Sequence, residues 1–211
     1  MTKQFFILLI LVAAGFTTTQ SCLAQNPVAP PAPHDHSHMS KSPEESSAAQ
    51  KYFTDVELTN QDGKKVRFYS DILKGKTVIV NAFFTTCTSV CPPMNRNMEK
   101  IQEALGSRVG RDVFLVSMTV DPETDTPARM KEYAQKFHAG PGWIFLTGKK
   151  ENLDWALYKL GQYVEQKNDH KTIFIIGNEP TGLWKKALGM ANVAELVQVV
   201  ESVVNDKGAT R

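Results

Sequence analysis

Apolar residues recur along this chain in two periods, and the places where the period changes mark its elements. The stretch from Thr77 to Met98 reads TVIVNAFFTTCTSVCPPMNRNM. Val78, Ile79, Val80, Ala82, Phe83 and Phe84 form a short apolar run that suits a strand buried on both faces. After Pro92 and Pro93 the spacing changes. Met94, Met98, Ile101 and Leu105 fall at i, i+4, i+7 and i+11, one face of a helix closed by Gly106 and Gly110. Upstream, Phe53, Val56 and Leu58 precede the turn Asn60-Gln61-Asp62-Gly63, and Val66 and Phe68 follow it, which predicts a hairpin. Residues 71–76 read as a short turn into the central strand.

Downstream the alternation continues. Residues 112–120 predict a strand, and Thr126 with Pro127 predicts a helix start with a cap and a proline at the first helical position. Met130, Tyr133, Ala134 and Phe137 mark that helix's buried face, 143–146 a strand, and Leu153, Ala156, Leu157 and Leu160 a further helix. Strands at 172–176 and 183–188 flank a turn. A last helix opens at Asn192, with Glu195 in capping-box position and a stripe of Val193, Leu196, Val197, Val200 and Val204. The order ββ-β-α-β-α-β-α-β-β-α predicts an α/β fold, a central mixed β-sheet flanked by helices with an N-terminal β-hairpin.

Two segments ahead of this pattern differ in kind. Residues 1–24 read as a signal peptide: Lys3, then the twelve apolar residues of Phe5 to Phe16, too short for a span of about 20 residues. Cleavage after Ala24, lipidation of Cys22 and an uncleaved anchor are the alternatives for its end; all three place the rest outside the cytoplasm. Residues 25–50 hold five of the eleven prolines and almost no large apolar side chains, so a disordered linker is expected. His34, His36 and His38, with Met39, alternate within it and can offer imidazoles to a metal; a plain solvated linker is the other reading. Residues 51–205 then form the folded domain and 206–211 a C-terminal tail.

The net charge of +2, with no basic cluster interleaved with aromatics, speaks against a nucleic-acid partner. Three cysteines in 211 residues are too few for a disulfide-stapled scaffold. Two of them, Cys87 and Cys91, follow the central strand, where an α/β fold places its chemistry. At i and i+4 on a helical turn their Cα atoms lie about 6 Å apart. That separation allows a redox-active disulfide or convergence on one metal. A helix start beside them favours the thiolate. Structural zinc normally takes four ligands, and one thiol pair supplies two. Cu(I) is soft and accepts two thiolates and one imidazole. His138 reads as a helix-end cation, and His170 stands just before a strand. Asp121 reads as a turn-ordering carboxylate, with proximity to the thiols as the alternative. Met94, Met98, Trp143 and Phe84 read as core or rim.

The segment Phe84-Thr85-Thr86-Cys87-Thr88-Ser89-Val90-Cys91-Pro92 resembles the CxxxCP signature of the Sco/SenC family of copper chaperones. VSMTVDPETDTP at 116–127, Phe145-Leu146-Thr147-Gly148 and Asp169-His170 fit the same family in the same order. The resemblance implies a thioredoxin-like fold over 51–205 and copper bound by Cys87, Cys91 and His170, as Cu(I) or alternatively Cu(II). It implies a metallochaperone that delivers copper to the binuclear copper centre of cytochrome c oxidase. Its partners would be the oxidase's copper-centre subunit, a thioredoxin-like reductant and other copper chaperones. The location implied is periplasmic or membrane-associated on the outer face of the inner membrane. The alternative is a thiol-disulfide oxidoreductase that uses Cys87 and Cys91 as its catalytic pair. Thioredoxin-type enzymes usually carry CxxC and a proline before the facing strand. This chain has CxxxC and Lys171-Thr172 there. The PxxxTxxC pattern of peroxiredoxins is broken by Phe84.

Overall fold

The central strand is buried along its whole length, and the sheet is arranged around it. The computed structural model describes residues 49–208. The signal-peptide and lipidation readings, the histidines at 34, 36 and 38, and the end of the tail lie outside the described residues. Strands β1 (Glu57–Asn60), β2 (Lys65–Arg67), β3 (Thr77–Phe83), β4 (Val113–Thr119), β5 (Trp143–Thr147), β6 (Ile173–Asn178) and β7 (Leu183–Leu188) form one sheet in the order β2-β1-β5-β4-β3-β6-β7. β3, β4 and β5 are parallel; β6 runs antiparallel to β3, β7 to β6, and β1 to both β5 and β2. The hairpin, the element order and the mixed sheet are as the sequence predicts.

Helices cover both faces, because β3 alternates between two cores. Ile79 and Phe83 point into one core, with Met94, Met98, Ile101 and Leu105 of α1 (Cys91–Leu105), Tyr133 of α2 (Pro127–Gln135), and Leu196 and Val200 of α4 (Val193–Val204). Val78, Val80 and Ala82 point into the other, with Leu153, Ala156 and Leu157 of α3 (Lys150–Lys159) and with Phe53. This period of two is why a run without polar alternation still makes a strand. Met94, Met98 and Trp143 are core residues as expected.

Local chemistry sets the boundaries. Thr126 caps α2 by accepting the Arg129 N–H. Asn192 caps α4 through the Ala194 N–H. The buried stripe of α4 ends on Val203, with Val204 only half-buried, because the helix turns its 196, 200 and 203 face to the sheet. Two local differences from the expected elements are seen. Phe68–Leu73 is a wide helical turn that buries Phe68, Tyr69, Ile72 and Leu73, so its apolar residues serve packing that strand periodicity does not show. Helical backbone already begins at 49, inside the segment expected to be linker. Among the described residues no helix is long and apolar enough to cross a membrane.

Candidate metal centre

The loop after β3 is built so that two sulfurs end at the start of α1. Of the first three helical residues, Pro92 and Pro93 have no N–H, and their fixed φ suits a first turn. The N–H that remains, that of Cys91, is donated to Cys87 Sγ at 3.4 Å. The Met94 N–H goes to the Val90 carbonyl. A sulfur thus takes the place of a side-chain oxygen as helix cap. Cys91 is fully buried and Cys87 nearly so, and both are free thiols.

A buried carboxylate anchors the loop. Asp125 has no exposed surface. It accepts the Thr85 N–H at 3.1 Å, the Thr85 hydroxyl, and the Thr119 hydroxyl at 2.5 Å. Beneath it, Asn81, on the α1 side of the central strand, donates to Asn95 at 3.0 Å and accepts from Ser117 at 2.7 Å. Asn95 donates to the Tyr133 hydroxyl, and the Trp143 indole donates to Ser117. Four successive buried bonds join β3, α1, β4, α2 and β5 below the thiols. A network satisfied at each of these steps fixes geometry more than it adds stability.

His170 reaches the same place from the far side of the sequence. β6 pairs with β3 in the register Val80↔Ile175 to Thr77↔Asn178. Extending that antiparallel register sets His170 level with Thr85, beside the thiol loop. His170 Nε2 lies 3.2 Å from Cys91 Sγ. Its ring meets Phe84 edge-on at 5.6 Å. Nδ1 is buried without a hydrogen-bond partner among the described residues, so Nε2 is the nitrogen turned to the sulfurs. The donor atoms of Cys87, Cys91 and His170 all lie within 4.8 Å of one another. Donors on bonds of about 2.0–2.3 Å around one ion span at most about 4.6 Å, so the three fit a single metal with little adjustment.

The two thiols differ in acidity. Burial pushes the Cys87 thiol up, but hydrogen bonds from the Cys91 side chain and N–H, from His170 and from the Ser89 N–H outweigh it and bring it down to about 6. Burial, with the hydrogen bond to Cys87 and its charge, pushes the Cys91 thiol well above its ordinary value. The expected lowering by the helix start therefore falls on the cysteine before the helix.

Asp121 is not among the donors that converge with the thiols. Its carboxylate pairs with Lys167 at 2.7 Å, and this bridge ties the β4–α2 loop to the turn that precedes His170. Burial disfavours its charge, yet Lys167 and Thr124 hold it below the ordinary carboxylate value. His138 sits past α2, exposed and paired with Glu99, away from the cluster. The residue that periodicity missed is Asp125. The signal was present as a second aspartate in Asp121-Pro122-Glu123-Thr124-Asp125, four positions on, immediately before the Thr126 cap.

Residues 44–205 match the SCO1/SenC family model. This chain belongs to the SCO1/SenC family. Among curated relatives, the SCO1 protein homolog of Bacillus subtilis is 38% identical over 94 residues, 44% of this chain and 47% of the relative. The chain thus matches about half the length of that relative. Two solved structures cover far more of their own length. BsSco, described as a member of the Sco family of cytochrome c oxidase assembly proteins, is 30% identical with a TM-score of 0.60, covering 72% of this chain and 92% of that one. Arabidopsis thaliana ScoI with copper bound is 27% identical with a TM-score of 0.58, covering 69% and 93%. The sheet and its flanking helices are those of the thioredoxin-like Sco proteins.

Proposed function

We propose that this protein carries copper outside the cytoplasm and delivers it to the binuclear copper centre of cytochrome c oxidase. Cys87 and Cys91 are the thiolate ligands and His170 the neutral imidazole ligand, through Nε2. The observation that carries this reading is the convergence of two sulfurs and one nitrogen within 4.8 Å at the open end of the central strand. That donor set is soft and few in number, which favours Cu(I) over Cu(II) and over zinc. The copper-bound ScoI and the oxidase-assembly role given for BsSco support the choice of cargo and acceptor. The apolar N-terminal run supports export, to the periplasm or to the outer face of the inner membrane.

The residues divide the work of loading. Near neutral pH Cys87 is already a thiolate and accepts the soft ion first. Cys91 keeps its proton until the metal displaces it, so loading releases a proton. Both thiols must be reduced beforehand, a step for a thioredoxin-like reductant. Other copper chaperones are the donors. Transfer goes to the copper-centre subunit of the oxidase.

The test is Cu(I) titration of the reduced full chain with His34, His36 and His38 replaced by Ala. One equivalent should bind tightly, and His170→Ala should weaken it about 100-fold or more. An unchanged affinity in that variant would reject the three-donor site.

A second reading is favoured by the split in thiol acidity. As a thiol-disulfide oxidoreductase, the Cys87 thiolate attacks a partner disulfide and forms a mixed disulfide. Cys91 then attacks Cys87, releases the partner dithiol and leaves the Cys87–Cys91 disulfide. Rapid reduction of an oxidised copper-centre domain, unchanged in His170→Ala, would favour this role.

A further inference from the structure

On the α3 side of the sheet, away from the thiols, lies a groove of about 500 Å³. Its floor is Phe53, Leu160, Ile175 and Trp184. The indole of Trp184 lies against the backbone of Gly177, where a Cβ would come within 2.2 Å of it. Tyr52 and Tyr158 stand at the rim, 55% and 60% exposed, and Trp155, 45% exposed, stacks on Tyr158 at 5.8 Å. Large aromatics at such exposure mark a surface that water alone does not explain.

The cations around the groove are uncompensated. Lys159 Nζ lies 5.0 Å from the Tyr52 ring and 4.7 Å from that of Trp155. Lys171 donates to the Gly161 carbonyl on the groove wall at 2.8 Å. Lys186 also lines it. Among the described residues none of these three lysines pairs with a carboxylate.

We propose that this groove docks the domain on an anionic lipid surface, with the lysines on headgroups and the aromatics at the acyl boundary. Trp, Tyr and Lys together are the residues that membrane interfaces select. The apolar floor and cationic rim match a lipid, which is itself anionic at one end and apolar at the other. The chain also enters the described residues at this face: Tyr52 and Phe53, three and four residues after Ala49, line the groove. The inference rests on the membrane-side location proposed above. It also links the groove to the proposed metal centre, since Lys171, which bonds the groove-lining Gly161, is next in sequence to His170.

The tryptophans make the test specific. The chain has three, at 143, 155 and 184, and none precedes residue 49, so the N-terminal segment contributes no signal. Trp143 is buried. The full chain is mixed with vesicles of phosphatidylglycerol or of phosphatidylcholine, each with and without brominated acyl chains. Quenching and a blue shift are expected in phosphatidylglycerol, with a several-fold smaller effect in phosphatidylcholine. K159E/K186E should remove most of the difference, and Cu(I) titration of that variant should be unchanged. Equal quenching in the two lipids, wild-type quenching by K159E/K186E, or a tryptophan shift produced by an acidic peptide but not by vesicles would overturn the proposal. Loss of copper binding in wild type, with lipid quenching intact, would count against the copper reading alone.

Discussion

The two loops that meet at the metal centre are held in opposite ways. The thiol loop is over-determined. Asp125 takes the Thr85 N–H and hydroxyl, the Cys91 N–H takes Cys87 as its partner, and two prolines set the helix start. The His170 loop is held by one short 3-10 turn, by the Lys167–Asp121 bridge, by Lys171 on Gly161, by a ring edge against Phe84 and by the contact of Nε2 with Cys91 Sγ. Its Nδ1 has no partner among the described residues. A metallochaperone has to release its cargo as well as bind it. On the copper reading proposed above, a rigid pair of sulfurs beside a lightly held imidazole would separate those tasks: the sulfurs would retain copper, and withdrawal of one nitrogen would open the site.

The largest expected effect tests whether the light side matters at all. Binding energies of about 10–16 kcal/mol for a full ligand set imply roughly 3–4 kcal/mol per ligand, hence more than about 100-fold in affinity for His170→Ala. Cys87→Ser or Cys91→Ser should cost at least as much. A smaller loss for either cysteine than for His170 would reverse the comparison.

Next comes Asp125→Ala. It leaves the Thr85 N–H and the Thr119 hydroxyl without their acceptor, a loss of about 2–4 kcal/mol in denaturant unfolding. Asp125→Asn should retain part of it. Unfolding within about 0.5 kcal/mol of wild type would show that the thiol loop holds itself.

Lys167→Ala should cost under about 1 kcal/mol, because the bridge is partly exposed and screened by salt. Its signature is faster amide exchange at residues 167–171 and faster copper release. If it destabilises the protein as much as Asp125→Ala, the two loops are not held differently.

The smallest effect is a pH profile. With Cys87 lowered to about 6, its alkylation in the reduced protein should rise with pH through about 6 and level off by pH 7 to 8. Protonation below that range removes the nucleophile. In Cys91→Ala, which deletes a hydrogen-bond donor to that sulfur, the inflection should move upward. A wild-type inflection near the ordinary thiol value of about 8.5 would contradict the cap made by the sulfur.

Much of this was legible in the chain, for physical reasons. Burial on both faces leaves an unbroken apolar run, so β3 is visible; one buried helical face leaves a 3.6 period, so α1 and α2 are visible. The thiol pair is local and easily read. The position of His170 was legible only through its family resemblance, since register between β3 and β6 is a tertiary property. Asp125 and the chain from Asn81 to Trp143 were not legible, because a buried polar group has no periodic signature. It differs from a solvated one only in its neighbours, and those come from five different elements. The tilt of α4 toward Val203 likewise follows from packing.

One consequence concerns the order in which the site comes into being. Cys91 and His170 are 79 positions apart, and the strand that follows His170 must pair with β3 before the imidazole arrives. During synthesis the thiols emerge long before their third partner. An incomplete or unfolded chain therefore has two scattered sulfurs and no composite site. On the proposed copper reading, loading would report that folding has finished, because only the folded domain brings the imidazole to the two sulfurs.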